Sequence, residues 1–91
     1  MSTTVRDRLV PVIDSLGEYV FGKRCRAEFI MKSRPEGVVY ISGKFFPGAV
    51  SSSEFELLVG VDLTSIDVKL TTVTRGELTR SYFFEGNAWT R

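Results

Sequence analysis

The spacing of apolar residues changes only once along this chain, and the change separates a helical part from an extended part. Up to Phe21, apolar residues recur every three or four positions, which is the period of an amphipathic helix. From Lys23 almost to the end they recur at every second position, which is typical of half-buried strands. The sequence therefore predicts one N-terminal helix followed by a series of strands.

The predicted helix has a single apolar face and recognisable ends. Its apolar face consists of Val5, Leu9, Val12, Ile13, Leu16 and Val20. Either Thr3 or Thr4 can supply an N-cap oxygen, and Gly22 is suited to the C-terminal stop. Pro11 is expected either to kink this helix or to mark its start, because proline has no amide hydrogen.

Turn residues divide the extended part into five predicted strands. Clusters of Gly, Pro, Ser and Asp predict turns at residues 33–37, 62–65 and 74–77 and a longer loop at 47–53. The second, third and fifth strands are predicted at residues 38–46, 54–61 and 78–84. Short connections make sequential strands run antiparallel. We expect a single α+β domain over residues 1–91, with one N-terminal amphipathic helix packed on a four- to five-stranded antiparallel meander sheet (α-β-β-β-β-β). This outline is similar to that of cystatin-like folds.

The composition argues against catalysis and against a bound cofactor or metal. The chain has no histidine, which is the commonest general base and the commonest transition-metal ligand. Its one cysteine, Cys25, alternates with apolar residues and is expected to be a buried structural residue. No glycine-rich phosphate loop, nucleophile elbow or zinc-ligand spacing occurs. We therefore expect a protein that is not an enzyme.

The sequence also leads us to expect a cytoplasmic protein with no membrane partner. The apolar stretch at residues 9–13 is too short for a signal peptide and is interrupted by Pro11. No apolar run approaches the roughly 18 residues that cross a bilayer. A single cysteine forms no intramolecular disulfide, which fits a reducing compartment.

The clearest functional signal is apolar surface on the sheet face that one helix leaves uncovered. Alternation assigns ten residues to the helix side: Cys25, Ala27, Phe29, Val39, Ile41, Phe55, Leu57, Val59, Val68 and Leu70. The opposite face is expected to carry Ile30, Tyr40, Leu58, Val73 and Phe83. Such a stripe indicates a binding module or accessory subunit whose partner is another protein chain, either a second copy or a heterologous one. The predicted interface residues, on this face and the last strand, are Ile30, Tyr40, Leu58, Phe83 and Trp89. Alternatively, the tail folds back over the stripe, or the exposure is unremarkable.

Two other functions fit parts of the sequence. Arg24, Arg26 and Lys44 accompany Tyr40 on the predicted open face, as in sheets that stack single-stranded nucleic acid. Carboxylates on the same face and a net charge of +1 make nucleic acid the less favoured partner. A third possibility is a small-ligand pocket between helix and sheet, lined by Arg80 and Tyr82. A cavity above roughly 300 Å³ would support it.

Overall fold

The structure is a computed structural model and describes residues 4–91. Helix α1 is followed by five strands that form one antiparallel sheet in sequence order, β1-β2-β3-β4-β5. The bounds are Val5–Phe21 for α1, Arg26–Arg34 for β1, Val38–Phe46 for β2, Ser53–Val61 for β3, Ile66–Arg75 for β4 and Leu78–Ser81 for β5. Two short strands, β6 (Phe83–Glu85) and β7 (Ala88–Thr90), make a separate hairpin. The predicted α+β meander is confirmed.

Both ends of α1 are capped by the local sequence. The Thr4 hydroxyl accepts a hydrogen bond from the Asp7 amide at 3.1 Å. Gly22 adopts a left-handed conformation with φ of 75°, and its amide donates to the Glu18 carbonyl at 2.8 Å. This conformation favours glycine because it has no Cβ. Thr3, the alternative N-cap, lies outside the described residues.

The buried side of α1 matches its predicted apolar face. Leu9, Ile13 and Leu16 are fully buried against the sheet. Pro11 lies inside the helix and is exposed, so the alternative in which it marks the helix start is wrong. The missing hydrogen bond of Pro11 faces water, where its cost is smallest.

The core is centred on Phe45, over which α1 packs closely at Gly17. The ring of Phe45 stacks on Phe55 with centroids 4.4 Å apart and meets the edge of Phe21 at 5.8 Å. Gly17 on α1 lies directly above it, and a Cβ at this glycine would be 2.9 Å from Phe45 Cε1. The absence of a side chain at Gly17 therefore sets how closely α1 packs.

A β-bulge in β4 reverses part of the predicted alternation. Leu70 pairs with Leu58 of β3, but Val68 pairs with the very next residue of β3, which leaves Lys69 as an extra residue. One extra residue moves everything beyond it to the other face of the sheet. Val73, predicted on the open face, is consequently 1% exposed in the core, and Leu70, predicted in the core, is 53% exposed.

The predicted fifth strand, residues 78–84, is too long. β5 ends at Ser81, and only one further hydrogen bond, from the Tyr82 amide to the Thr71 carbonyl at 3.0 Å, continues the pairing with β4. The side chain of Tyr82 turns into the core and meets the edge of the Tyr19 ring of α1. Tyr82 thus joins the helix side of the molecule, as do Phe84 and Trp89.

The tail forms a hairpin that packs on α1. Gly86 and Asn87 both have positive φ, 58° and 64°, as a two-residue turn between strands requires. Phe84 and Trp89 pack together with centroids 4.7 Å apart, and Trp89 Nε1 donates to Ser15 Oγ of α1 at 2.8 Å. The tail therefore covers the helix side, which rules out the alternative that it folds over the open face.

A buried hydroxyl in β4 offers a simple stability test. Thr71 is fully buried and its Oγ1 has no hydrogen-bond partner among the described residues. Because an unpaired buried hydroxyl is destabilising, we expect Thr71→Val to raise the free energy of unfolding by about 1 kcal/mol. Urea denaturation measures this as a higher midpoint. Thr72→Val, on the half-buried opposite face, is the matched control, and a lower midpoint for Thr71→Val contradicts the expectation.

Candidate interaction surface on the open sheet face

One face of the sheet is left uncovered by the elements that the structure describes. Both α1 and the β6–β7 hairpin contribute to the core on the other side. We call the uncovered surface of β1–β5 the open face. Strand register aligns its side chains in rows, and the central row, one residue from each of four neighbouring strands, is Lys32, Tyr40, Leu58 and Leu70.

The middle of the open face is apolar. Leu70 at one end of the central row is 53% exposed, and Ile30 in the adjacent row is 58% exposed. Tyr40 and Leu58 lie between them and are half-buried. Contiguous apolar side chains at the centre of a sheet face, ringed by charges, are typical of an interaction surface.

Tyr40 is held in place by its polar neighbours. Its hydroxyl donates a hydrogen bond to Glu56 Oε1 on β3 at 2.5 Å, and the Arg34 guanidinium lies 5.4 Å from its ring centroid. The hydrogen bond to the Glu56 carboxylate raises the pKa of Tyr40 above its usual range. The hydroxyl therefore remains a donor at neutral pH, and the ring presents a fixed aromatic surface.

Negative charge gathers at one end of the open face. Here Glu28, Glu54 and Glu56 accompany two cations: Arg26, which forms an ion pair with Glu28, and Lys44, which pairs across the sheet with Glu28 and Glu54. These residues border a shallow concavity of about 720 Å³. Its lining includes Ser42, Thr72, Thr74 and Thr79.

Positive charge gathers at the other end of the strands. Lys32 and Arg34 lie at the end of β1, and Lys69 projects from the bulge in β4 beside Gly60. Asp67 is the acidic residue among them, and it accepts from Lys69 Nζ at 3.2 Å. The open face is thus polarised along the strand direction, with Tyr40, Leu58 and Leu70 of the central row between the two charged ends.

The structure brings together most, but not all, of the predicted interface residues. Ile30, Tyr40 and Leu58 lie on the open face. Phe83 is 53% exposed on β6, and the β4–β5 register continued past Tyr82 brings it next to Leu70 at the border of this face.

Trp89 was predicted to be an accessible anchor, and this prediction is wrong. The residue is 7% exposed because its ring packs in the core and its indole N–H bonds to α1. Leu70 was not predicted as an interface residue, because simple alternation along β4 assigns it to the helix side. The bulge at Lys69 turns it to the open face. The Gly86-Asn87 pair between aromatic residues was the available signal for the tail hairpin.

The cations predicted to contact nucleic acid do not form a continuous basic surface. Arg24 lies in the exposed segment between α1 and β1. Arg26 forms an ion pair with Glu28 at 2.8 Å, and Lys44 lies between Glu28 and Glu54. Neighbouring carboxylates weaken the attraction of these cations for phosphate.

The third predicted location, between helix and sheet, holds an open cleft. Arg80 and Tyr82 both line it, and its volume is about 610 Å³. The cleft lies beside the C-terminal half of α1, on the side of the sheet opposite to the open face.

Comparison of the chain with protein-family models, with curated proteins and with solved structures gives no match.

Across residues 4–91, His, Cys, Asp and Glu side chains nowhere gather in the groups of three that hold metal ions. In the same residues no helix combines the length and the apolar character needed to cross a membrane. Cys25, predicted to be buried, is half-buried beside the core.

Proposed function

We propose that the protein is a non-catalytic binding module that pairs, through its open face, with a second copy of itself. The observation that carries this proposal is the central row with its neighbour Ile30, which stays uncovered although α1 and the tail hairpin bury the other side of the sheet. Removing these side chains from water is the driving force. Tyr40 is the expected anchor because a fixed aromatic ring buries a large area with little loss of entropy.

The size of the open face is sufficient for a specific dimer. Strands β1–β4 are nine or ten residues long and β5 adds four residues at one edge; at about 4.8 Å between strands and about 3.4 Å per residue, the open face spans roughly 20 by 30 Å. Two such faces bury on the order of 1,200 Å² in total, which is the lower end of the range for specific protein interfaces.

The charge distribution supports a second copy as the partner. A two-fold axis in the plane of the interface, running across the strands, places the acidic end of one face over the basic end of the other. Each strand then lies over the same strand of the second copy, running in the opposite direction, so Glu56 faces Gly60 of the second copy, beside which Lys69 projects. The same rotation places Tyr40, Leu58 and Leu70 over their own counterparts, so one patch complements itself as a two-fold interface requires.

Sedimentation analysis of the purified chain tests the proposal. We expect the wild type to be dimeric at micromolar concentrations, and Tyr40→Glu combined with Leu58→Glu to be monomeric, because four carboxylates would then face each other in the apolar centre. Val50→Glu with Leu63→Glu is the matched control, since both residues are fully exposed in loops away from the open face. A wild type that stays monomeric at high micromolar concentration contradicts the proposal.

A charge swap tests the orientation of the two copies. Glu56→Lys is expected to weaken the dimer by at least about tenfold, since it places a positive charge opposite Lys69 of the second copy. Adding Lys69→Glu to the same chain restores opposite charges and is expected to restore dimerisation. Failure of this rescue, with circular dichroism unchanged, contradicts the proposed two-fold arrangement.

A further inference from the structure

The cleft beside α1 concentrates positive charge on the side of the molecule away from the open face. Arg75 of β4 and Arg80 of β5 line it, together with Arg91 near the tail. Arg75 pairs with Leu78 and Arg80 with Val73, so the two arginines are diagonal neighbours on the same face of the β4–β5 ribbon. Like charges in this arrangement repel each other and attract an anion.

These arginines have no acidic partner in the described part of the chain. None of the residues that line the cleft is Asp or Glu, and the ion pairs of residues 4–91 involve Arg26 and Lys69 instead. The carbonyl end of α1 is a competing acceptor. No described hydrogen bond, however, joins it to Arg75 or Arg80. The guanidinium groups are therefore available to a ligand.

Other residues of the cleft provide apolar surface for a ligand, and Phe21 restrains the Arg75 guanidinium. Val20, Val73 and Leu78 contribute apolar surface to its lining. The Arg75 guanidinium lies 5.0 Å from the ring centroid of Phe21, which restrains it by a cation–π contact. Tyr82 is 5% exposed and lines the cleft, and no described residue hydrogen-bonds its hydroxyl.

We infer that this cleft binds a small amphiphilic anion, whose carboxylate or phosphate head group contacts Arg75 and Arg80. Guanidinium groups recognise both oxyanions through paired N–H donors, and the Tyr82 hydroxyl adds a further donor. The apolar part of the ligand packs between Tyr19, Val20 and Leu78. A volume of about 610 Å³ accommodates such a molecule. This inference is independent of the pairing of open faces.

Titrations followed by amide chemical shifts test this inference on the full chain. The probes are hexanoate, hexyl phosphate, inorganic phosphate and the neutral analogue 1-hexanol. We expect hexanoate or hexyl phosphate to shift amides of β4, β5 and the end of α1 at millimolar concentrations, and the tighter of the two identifies the head group because their apolar chains are alike. Inorganic phosphate and 1-hexanol are expected to bind more weakly, since each offers only half of the contacts.

Arginine variants separate the cleft from general charge attraction. Arg75→Gln with Arg80→Gln is expected to weaken binding of the organic anion by at least about tenfold, because charge-assisted hydrogen bonds are lost. Arg24→Gln with Arg26→Gln removes the same charge elsewhere and is expected to leave binding unchanged. Any of three results overturns the inference. The first is the absence of amide shifts at up to tens of millimolar anion, and the second is equal binding of hexanoate and 1-hexanol. The third is equal weakening of binding by the two double variants.

Discussion

Phe45→Ala is expected to lower the free energy of unfolding by about 3–5 kcal/mol, which is most of the stability of a small domain. The side chain is fully buried, stacks on Phe55 and supports the edge of Phe21. Gly17, directly above it, contributes no side chain that could move in to fill the space. The cavity therefore adds its own cost to the lost burial.

Chemical denaturation with circular dichroism measures this loss directly. Phe83→Ala is the matched control, because it removes the same atoms from a half-exposed ring on β6. We expect the control to cost less than about 1.5 kcal/mol. Equal losses for the two variants would show that Phe45 is not the centre of the core.

Gly43→Ala is expected to be the most damaging small substitution, with a loss of about 3 kcal/mol or more. A Cβ at this position overlaps the Glu28 carbonyl oxygen and lies 2.7 Å from Phe29 Cα. Both groups belong to the backbone of β1, which pairs with Gly43 across the sheet. Backbone cannot rotate away as a side chain can, so β1 and β2 have to separate locally.

Gly60→Ala provides the control for Gly43→Ala. This glycine also lies within a strand, but a Cβ there meets the flexible end of Lys69, at 3.1 Å from Cε. Since Lys69 can move, we expect a change within about 0.5 kcal/mol. Thermal unfolding of the two variants measures the difference. A midpoint for Gly43→Ala equal to that of Gly60→Ala would contradict the close approach of β1 and β2.

The helix and the first turns were predictable because their signals are local. The apolar period of α1, its Thr4 cap and the left-handed Gly22 depend on residues a few positions apart. The same holds for the turn predicted at residues 74–77, where Gly76 has a positive φ of 66°. Three of the predicted interface residues, Ile30, Tyr40 and Leu58, follow from uninterrupted alternation in β1, β2 and β3.

Errors arose where the relation between distant strands decides the outcome. The extra residue Lys69 exchanges Leu70 and Val73 between the two faces, and nothing in β4 alone marks it as a bulge. Trp89 was misplaced for a similar reason. Its burial depends on Ser15, which lies 74 residues away along the chain.

Periodicity and turn chemistry thus set the order of the elements and the two-sided character of the sheet, since both act between neighbours in the chain. Packing between elements decided three further features: the composition of each sheet face beyond the bulge, the position of the tail, and the cluster of Arg75 and Arg80. Strand register and side-chain contacts of that kind result from minimising exposed apolar area over the whole molecule at once, which no single segment encodes.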